Sequence, residues 1–226
     1  MATASILSRN HQVTIVAKNL PGDEPTIEWA SPWAGASFIA GGCFSSREAK
    51  MQLDAFAELW RWSIAYPESS IKQITVEDFH EDKTEADIWW KDYMPEFRFL
   101  PWEALPKGAK VGTSYKSLIL SPAIFLPWMR KLLENTGVKF KRMSLESLSD
   151  ARDLGHDVLI NASGFGSLKL KDVQDMDVEM VRGQTMVVES NYNKIFMYDT
   201  GRTYTYVLPR LDGTVILGGT RQKDTM

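Results

Sequence analysis

The chain has a single cysteine, Cys43, and only three histidines, His11, His80 and His156. One thiol excludes an intrachain disulfide, a Cys-x-x-Cys redox pair and a thiolate metal cage, and a reducing compartment fits best. The histidines stand singly, with no His-Glu-x-x-His spacing, so no histidine metal motif is written into the sequence. Positive charge is also short: the formal net charge is −3 and the pI near 5.7. No basic stripe is therefore available to displace counterions from a nucleic acid. No apolar run reaches the length of a membrane span, and the N-terminus lacks the basic-then-apolar pattern of a signal peptide. Internal repeats and low-complexity linkers are absent, so domains must interleave rather than follow one another. What remains is ordinary globular material, 226 residues of which 44% are hydrophobic and 24% charged, enough for one sizeable core or two small ones. Eight tryptophans are many for this length. They suit a core, or a site for a flat aromatic ligand.

The central stretch is Asp157-Val158-Leu159-Ile160-Asn161-Ala162-Ser163-Gly164-Phe165-Gly166. Its apolar run ending in small polar and glycine residues predicts a buried strand followed by a backbone-lined turn. Ligands of open α/β sheets sit at such strand ends, where glycines let main-chain N–H groups come close; an ordinary strand-to-loop exit has the same pattern. At the N-terminus, Ala2 to Ser8 predicts a helix, Arg9 to Gln12 a polar turn and Val13 to Ala17 a buried strand. In a dinucleotide-binding βαβ unit these would be the helix and the second strand, and the first strand with its Gly-x-Gly-x-x-Gly turn is not found ahead of them. Lys18 and Asn19 stand where an acidic ribose ligand is common. In Ala30-Ser31-Pro32-Trp33-Ala34-Gly35-Ala36, proline fixes the backbone and small residues remove bulk beside an indole, so a large planar group can lie against it.

Ser45-Ser46-Arg47-Glu48 has the form of a capping box, and Leu53, Phe56, Leu59 or Trp60, and Ile64 recur at helical spacing until Tyr66-Pro67. That helix is a packing element. Ile71 to Val76 alternates as a half-buried strand, and the charge-rich run Glu77 to Asp87, which includes His80, predicts a solvated loop. Trp89 to Trp102 predicts short strands and turns broken by Pro95 and Pro101, and Tyr115 to Leu120 a strand. Ser121-Pro122 starts a helix with Leu126, Met129, Leu132 and Leu133 on its buried stripe, unless Pro127 delays the start to Leu126. Val138 to Phe140, Gly183 to Glu189, Thr203 to Arg210 and Thr214 to Gly219 predict strands, the last two joined by the hairpin signal Asp212-Gly213.

Read in order, Leu20-Pro21-Gly22-Asp23, Ala30 to Ala36, Pro67-Glu68-Ser69, Trp89-Trp90-Lys91-Asp92 with Phe97-Arg98, and Gly112 to Tyr115 resemble fungal D-amino-acid oxidases. Asn161-Ala162-Ser163-Gly164, Arg182-Gly183-Gln184-Thr185, Tyr206-Val207-Leu208-Pro209-Arg210 and Leu217-Gly218-Gly219-Thr220 continue the resemblance along nearly the whole chain. It implies an α/β fold in which a partial FAD-binding Rossmann-like domain (1–45 and 120–176) interleaves with a mixed-sheet substrate domain (46–119 and 177–226). It also implies FAD as cofactor, contacted by Ala30, Ser31, Trp33, Gly35, Ala36, Ser163, Gly164, Phe165 and Gly166. The implied reaction takes a D-amino acid to an imino acid by hydride transfer to flavin N5, and dioxygen reoxidises the flavin with formation of hydrogen peroxide. The cofactor carries that chemistry, so the lack of a histidine or paired-carboxylate motif is no objection.

Tyr206 matches the family's pocket tyrosine, which holds the substrate carboxylate; as a bare sequence feature it is an amphipathic strand tyrosine. Arg221 replaces an aromatic residue common after Gly-Gly-Thr, and either sits at the surface or pairs with the side chain of an acidic substrate such as D-aspartate. The family's carboxylate-clamping arginine lies in a Gly-Leu-Arg-Pro segment that would follow Met226. The expectation from sequence is thus an incomplete chain: a flavoprotein finished by a second copy or a complementing chain, or a non-catalytic relic. The partners expected are a small D-amino acid and dioxygen, not a membrane or nucleic acid. The family is commonly peroxisomal, although Asp224-Thr225-Met226 is not a peroxisomal tripeptide, which leaves a peroxisomal or cytoplasmic setting.

Overall fold

The computed structural model describes residues 1–42 and 45–223. Cys43 and Asp224-Thr225-Met226, read above for redox chemistry and targeting, lie outside the described residues. The chain runs through α1 (Ala2–Leu7), β1 (Thr14–Ala17), β2 (Ser37–Phe38), α2 (Ser46–Ala65), β3 (Lys72–His80), β4 (Arg98–Phe99), β5 (Val111–Ile119) and α3 (Pro122–Asn135). It continues through β6 (Lys139–Arg142), β7 (Val181–Arg182), β8 (Met186–Glu189), β9 (Ile195–Asp199), β10 (Tyr204–Pro209), β11 (Thr214–Gly218) and β12 (Gln222–Lys223). Two units result, each discontinuous in sequence: Met1–Pro25 with Met129–Arg182 and Gln222–Met226, and Thr26–Trp128 with Gly183–Arg221. Among the described residues no helix is long and apolar enough to cross a membrane.

The larger unit is built on an eight-stranded mixed sheet in the order β2-β5-β3-β9-β10-β11-β8, with β4 also on β5. Only the β3–β9 pair is parallel; the other neighbours are antiparallel. Residues directly opposite one another share a face, so Val76 aligns with Tyr115 and Ile195, and Leu208 with Ile216. All five are at most 6% exposed and form the centre of the core. Helix α2 starts where the capping pattern places it, with the Glu48 N–H donating to Ser45 Oγ at 3.2 Å. It adds buried Phe56 and half-buried Leu53, Leu59 and Trp60 to that core, whereas Ile64 is 66% exposed. The helix at Ser121-Pro122 begins at Pro122, and Pro127 lies inside it without ending it.

Three features of this unit differ from the sequence reading. Strand β3 continues to His80, and Glu77 to His80 pair with both β5 and β9 instead of forming a solvated loop. Alternation accounts for the charges: Glu77 pairs with Lys194 at 2.6 Å, while Asp78 and His80 turn to the covered face and are 3% and 4% exposed. Strand β9 was not expected from the sequence, although turn residues bound it: Ser190 to Asn193 before it, and Thr200-Gly201 after it, where Gly201 has φ +78° and donates its N–H to Asp199 Oδ1 at 2.8 Å. Residues 26–42, joined from sequence to 120–176, fall here with the larger unit, where β2 pairs with β5.

In the smaller unit β1 and β6 form a parallel pair in the register Thr14↔Lys139 to Ala17↔Arg142. Met129 and Leu133 of α3 are buried, and Arg130 donates to the Pro21 carbonyl at 3.0 Å while lying 5.3 Å from the Phe140 ring centre. Arg142 grips Asp23 through two bonds of 2.5 and 2.6 Å, which holds that carboxyl down at about 2. The predicted buried strand before Asn161 is a correction. Val158, Leu159 and Ile160 are 77%, 43% and 52% exposed and lie outside any strand. An apolar run becomes a buried strand only when flanking strands accept its ladder, and no described residue pairs with it. Strand β1 likewise is at best half-buried, not buried.

Candidate functional site

Strand β10 places Tyr204, Tyr206 and Leu208 on one face of the large sheet, because side chains two apart share a face. Tyr206 lies opposite Gly218 of β11 and Met197 of β9. Its ring occupies the space that a side chain at Gly218 would need: a Cβ there would stand 2.2 Å from the Tyr206 Cζ and 2.3 Å from its hydroxyl. Tyr204 stacks on Tyr206 with ring centres 5.6 Å apart. Tyr206 is half-buried, and burial raises its phenol above the ordinary value, so the hydroxyl stays a protonated donor through the physiological range.

Arg221 is brought to the same place by backbone that only glycine permits. At Gly219, φ is +136° and a Cβ would fall 1.8 Å from the Tyr204 carbonyl oxygen, so the chain passes directly beside β10. Thr220 then pins the segment, its Oγ1 accepting from the Gln184 N–H at 2.6 Å. The Arg221 guanidinium lies 5.9 Å from the Tyr204 ring centre. The larger unit thus brings a cation, Arg221, to an aromatic wall and a phenol donor, Tyr204 and Tyr206, that lie fifteen or more residues earlier in sequence. Tyr204 escaped the sequence reading; its signal was the two-residue spacing from Tyr206 on an alternating strand.

On the same face, Met197 also lies opposite Asp78 of β3. Asp78 Oδ2 and His80 Nε2 are 3.1 Å apart but off the axis of a good hydrogen bond, and His80 Nδ1 meets Lys83 Nζ at 2.9 Å. The Asp78 charge and burial together push the Tyr115 phenol well up, burial being the larger cause. Among the described residues no group of side chains has the makings of a metal site.

The proposed flavin contacts occupy two places. In the larger unit, Ala30 and Ser31 are exposed, and Trp33, 55% exposed, donates its indole N–H to the Thr26 carbonyl at 2.9 Å. Gly35 runs so close to β10 that a Cβ would come 2.5 Å from Leu208 Cδ1, and Ala36 exchanges backbone bonds with Leu120 at 3.1 and 2.9 Å. That segment is therefore held against the strand that carries Tyr206. In the smaller unit, Ser163 to Gly166 form a tight turn: Asn161 Oδ1 accepts from the Ser163 N–H and hydroxyl at 3.1 and 2.7 Å, and Gly164 has φ +55°. Ser163 and Gly164 are exposed, Phe165 and Gly166 half-buried, and Lys169 lies 6.0 Å from the Phe165 ring centre. In the smaller unit the exposed Ser163-Gly164 turn offers main chain for a ligand, whereas the face of Gly35 in the larger unit is taken by Leu208.

The fold is shared with a glycine oxidase from Geobacillus kaustophilus, which superposes with a TM-score of 0.72 at 14% identity, over 99% of this chain and 68% of that one. That likeness shows the fold alone. Residues 1–225 match the FAD dependent oxidoreductase (DAO) family, and the chain belongs to it. It is similar to a D-amino-acid oxidase of Fusarium vanettenii, 30% identical over 97% of this chain and 67% of the relative. A D-aspartate oxidase of Cryptococcus neoformans var. grubii is 29% identical over 93% of this chain and 59% of the relative. The chain spans about two thirds of the first of these relatives and less of the second.

Proposed function

We propose that the chain is part of an FAD-dependent oxidase of D-amino acids. The observation that carries this reading is the half-buried Tyr206 hydroxyl set beside Tyr204, over which Arg221 lies, in a chain similar to a D-amino-acid oxidase and a D-aspartate oxidase. A bound FAD would supply a two-electron acceptor for the substrate Cα–H and a route to dioxygen, for net conversion of a D-amino acid and dioxygen to an imino acid and hydrogen peroxide. Ala30, Ser31, Trp33, Gly35 and Ala36, with Ser163 to Gly166, would hold the cofactor through main chain and small side chains. Tyr206 donates its phenol proton in a hydrogen bond to the substrate carboxylate and so orients the Cα–H. Tyr204 walls the pocket beside it.

Arg221 favours a D-aspartate-like specificity. Its guanidinium is anchored over Tyr204 and exposed toward solvent, free to meet a second carboxylate. The setting proposed for it is peroxisomal or cytoplasmic.

The test is the visible spectrum of the purified chain after incubation with FAD and desalting. Retained flavin bands, bleached under nitrogen by D-alanine or D-aspartate, support the reading. A folded sample that retains no flavin points to a non-catalytic chain, or to one needing a complementing partner. If flavin is retained, Arg221→Met should weaken D-aspartate more than D-alanine by about tenfold, the worth of one charge-assisted contact. Equal losses would remove Arg221 from specificity.

A further inference from the structure

A second site lies at the far end of the same sheet. A cleft of about 310 Å³ opens where the start of β3, the end of β5 and the β10–β11 hairpin meet the loop at 190–193. This is the small end of ligand clefts, which run from roughly 300 to 1,000 Å³. Arg210 stands four residues beyond Tyr206, about 13 Å along an extended strand at about 3.3 Å per residue. The cleft shares no residue with the Tyr206 and Arg221 site.

Its lining is chemically one-sided. Lys72 and Arg210 both line it, and neither forms an ion pair among the described residues. Asn191 and Asn193 add amides, while Ile74 and Leu211 supply an apolar wall. Arg210 is half-buried where it lines the cleft, and no side chain among the described residues pairs with its guanidinium, so the cation there is left for an oxyanion. The nearest acid does not fill that role. Asp212 feels Arg210 only through space, and its Oδ1 is taken by the Thr214 N–H at 3.0 Å and hydroxyl at 2.6 Å, which close the hairpin turn. Two cations, amide donors and no acid turned inward select an oxyanion, and the apolar wall selects one carried on a hydrocarbon body.

We propose that this cleft binds a small amphiphilic carboxylate: the carboxylate pairs with Arg210 and Lys72, and its apolar tail lies on Ile74 and Leu211. The ligand site is separate from the oxidation site and does not depend on the proposed function.

The experiment is a ligand-observed NMR titration of the purified 226-residue chain with hexanoate, hexylamine and inorganic phosphate. Hexanoate is expected to saturate one site, hexylamine not to saturate, and phosphate to bind at least about tenfold more weakly, because it leaves the apolar wall bare. Arg210→Met should weaken hexanoate by about tenfold to a hundredfold, the range of one charge-assisted contact. Lys72→Met, at an exposed strand start where folding is not at stake, should weaken it several-fold. Arg221→Met should leave it unchanged. The proposal is overturned if Arg210→Met and Lys72→Met bind hexanoate like the parent, if hexylamine binds as tightly, or if Arg221→Met abolishes the signal, which would put the anion in the other site. Phosphate binding as tight as hexanoate would refute the amphiphilic ligand.

Discussion

Gly218 decides where the Tyr206 ring can lie, and replacing it with alanine tests that directly. The backbone there does not need a positive φ, so alanine meets no conformational penalty of its own. The added Cβ would stand 2.2, 2.3 and 2.5 Å from three atoms of the Tyr206 ring. Carbon atoms pack at about 3.5–4.0 Å, so the ring must move by roughly 1 Å or leave its rotamer. It cannot slide freely toward β9, because Met197 fills the position opposite, and moving outward breaks the stack on Tyr204. Overpacking of this kind costs about 1–3 kcal/mol, and the aromatic pair is worth about 0.5–1.5 kcal/mol of that. Urea unfolding of four proteins, the parent, Gly218→Ala, Tyr206→Ala and the double variant, separates the cause. Alanine at 218 should cost about 1–3 kcal/mol beside Tyr206 and almost nothing once the ring is gone, a coupling of at least about 1 kcal/mol. The same cost in both backgrounds would show that the ring is not what the glycine accommodates. Where flavin is retained, Gly218→Ala should also lower turnover without changing flavin content, since the phenol would be displaced and the cofactor contacts left alone.

Ser45→Ala removes the hydroxyl that caps α2 and should lower stability by about 0.5–2 kcal/mol in urea unfolding; an unchanged midpoint would mean that the helix start is held by packing alone. Asp23→Asn tests the Arg142 pair through pH. The folded carboxyl is depressed to about 2 while the unfolded one titrates near 3.9, so the stabilisation is present above about pH 4 and is lost as pH falls toward 2. Parent and variant should therefore differ in denaturation midpoint at pH 6, converge near pH 2, and differ less in high salt; a gap that persists at pH 2 contradicts the pairing. Ile195→Ala, at a fully buried position, should cost about 2–5 kcal/mol, whereas Val158→Ala should stay within about 0.5 kcal/mol because that side chain is 77% exposed. A large loss at Val158 in the isolated chain would restore the buried strand that the apolar run predicts.

Local signals were legible wherever a residue acts on its own neighbours. Ser45 and Glu48 mark the start of α2 because a hydroxyl three residues upstream meets the orphan N–H at that turn. Asp212-Gly213 marks the β10–β11 hairpin because Gly213 takes a φ of +83° and Asp212 accepts from Thr214. Tyr206 was legible as a member of an ordered motif and Arg221 as a departure from one, although nothing in the spacing says that Arg221 lies over Tyr204. Strand order decided the rest. Asp78 and His80 sit in a charged run that reads as solvated, yet β5 and β9 enclose β3 on both sides and alternation sends those two side chains inward. Val158 to Ile160 read as buried for the opposite reason: their composition suits a central strand, but a strand is buried by its neighbours and none pairs with them among the described residues. Sequence alone thus determined the family, the caps and the turns, each a matter of local chemistry or ordered motif. Only tertiary structure decided which charges are covered, which glycine makes room for the Tyr206 ring and how Arg221 reaches Tyr204, because these depend on contacts between residues far apart in the chain.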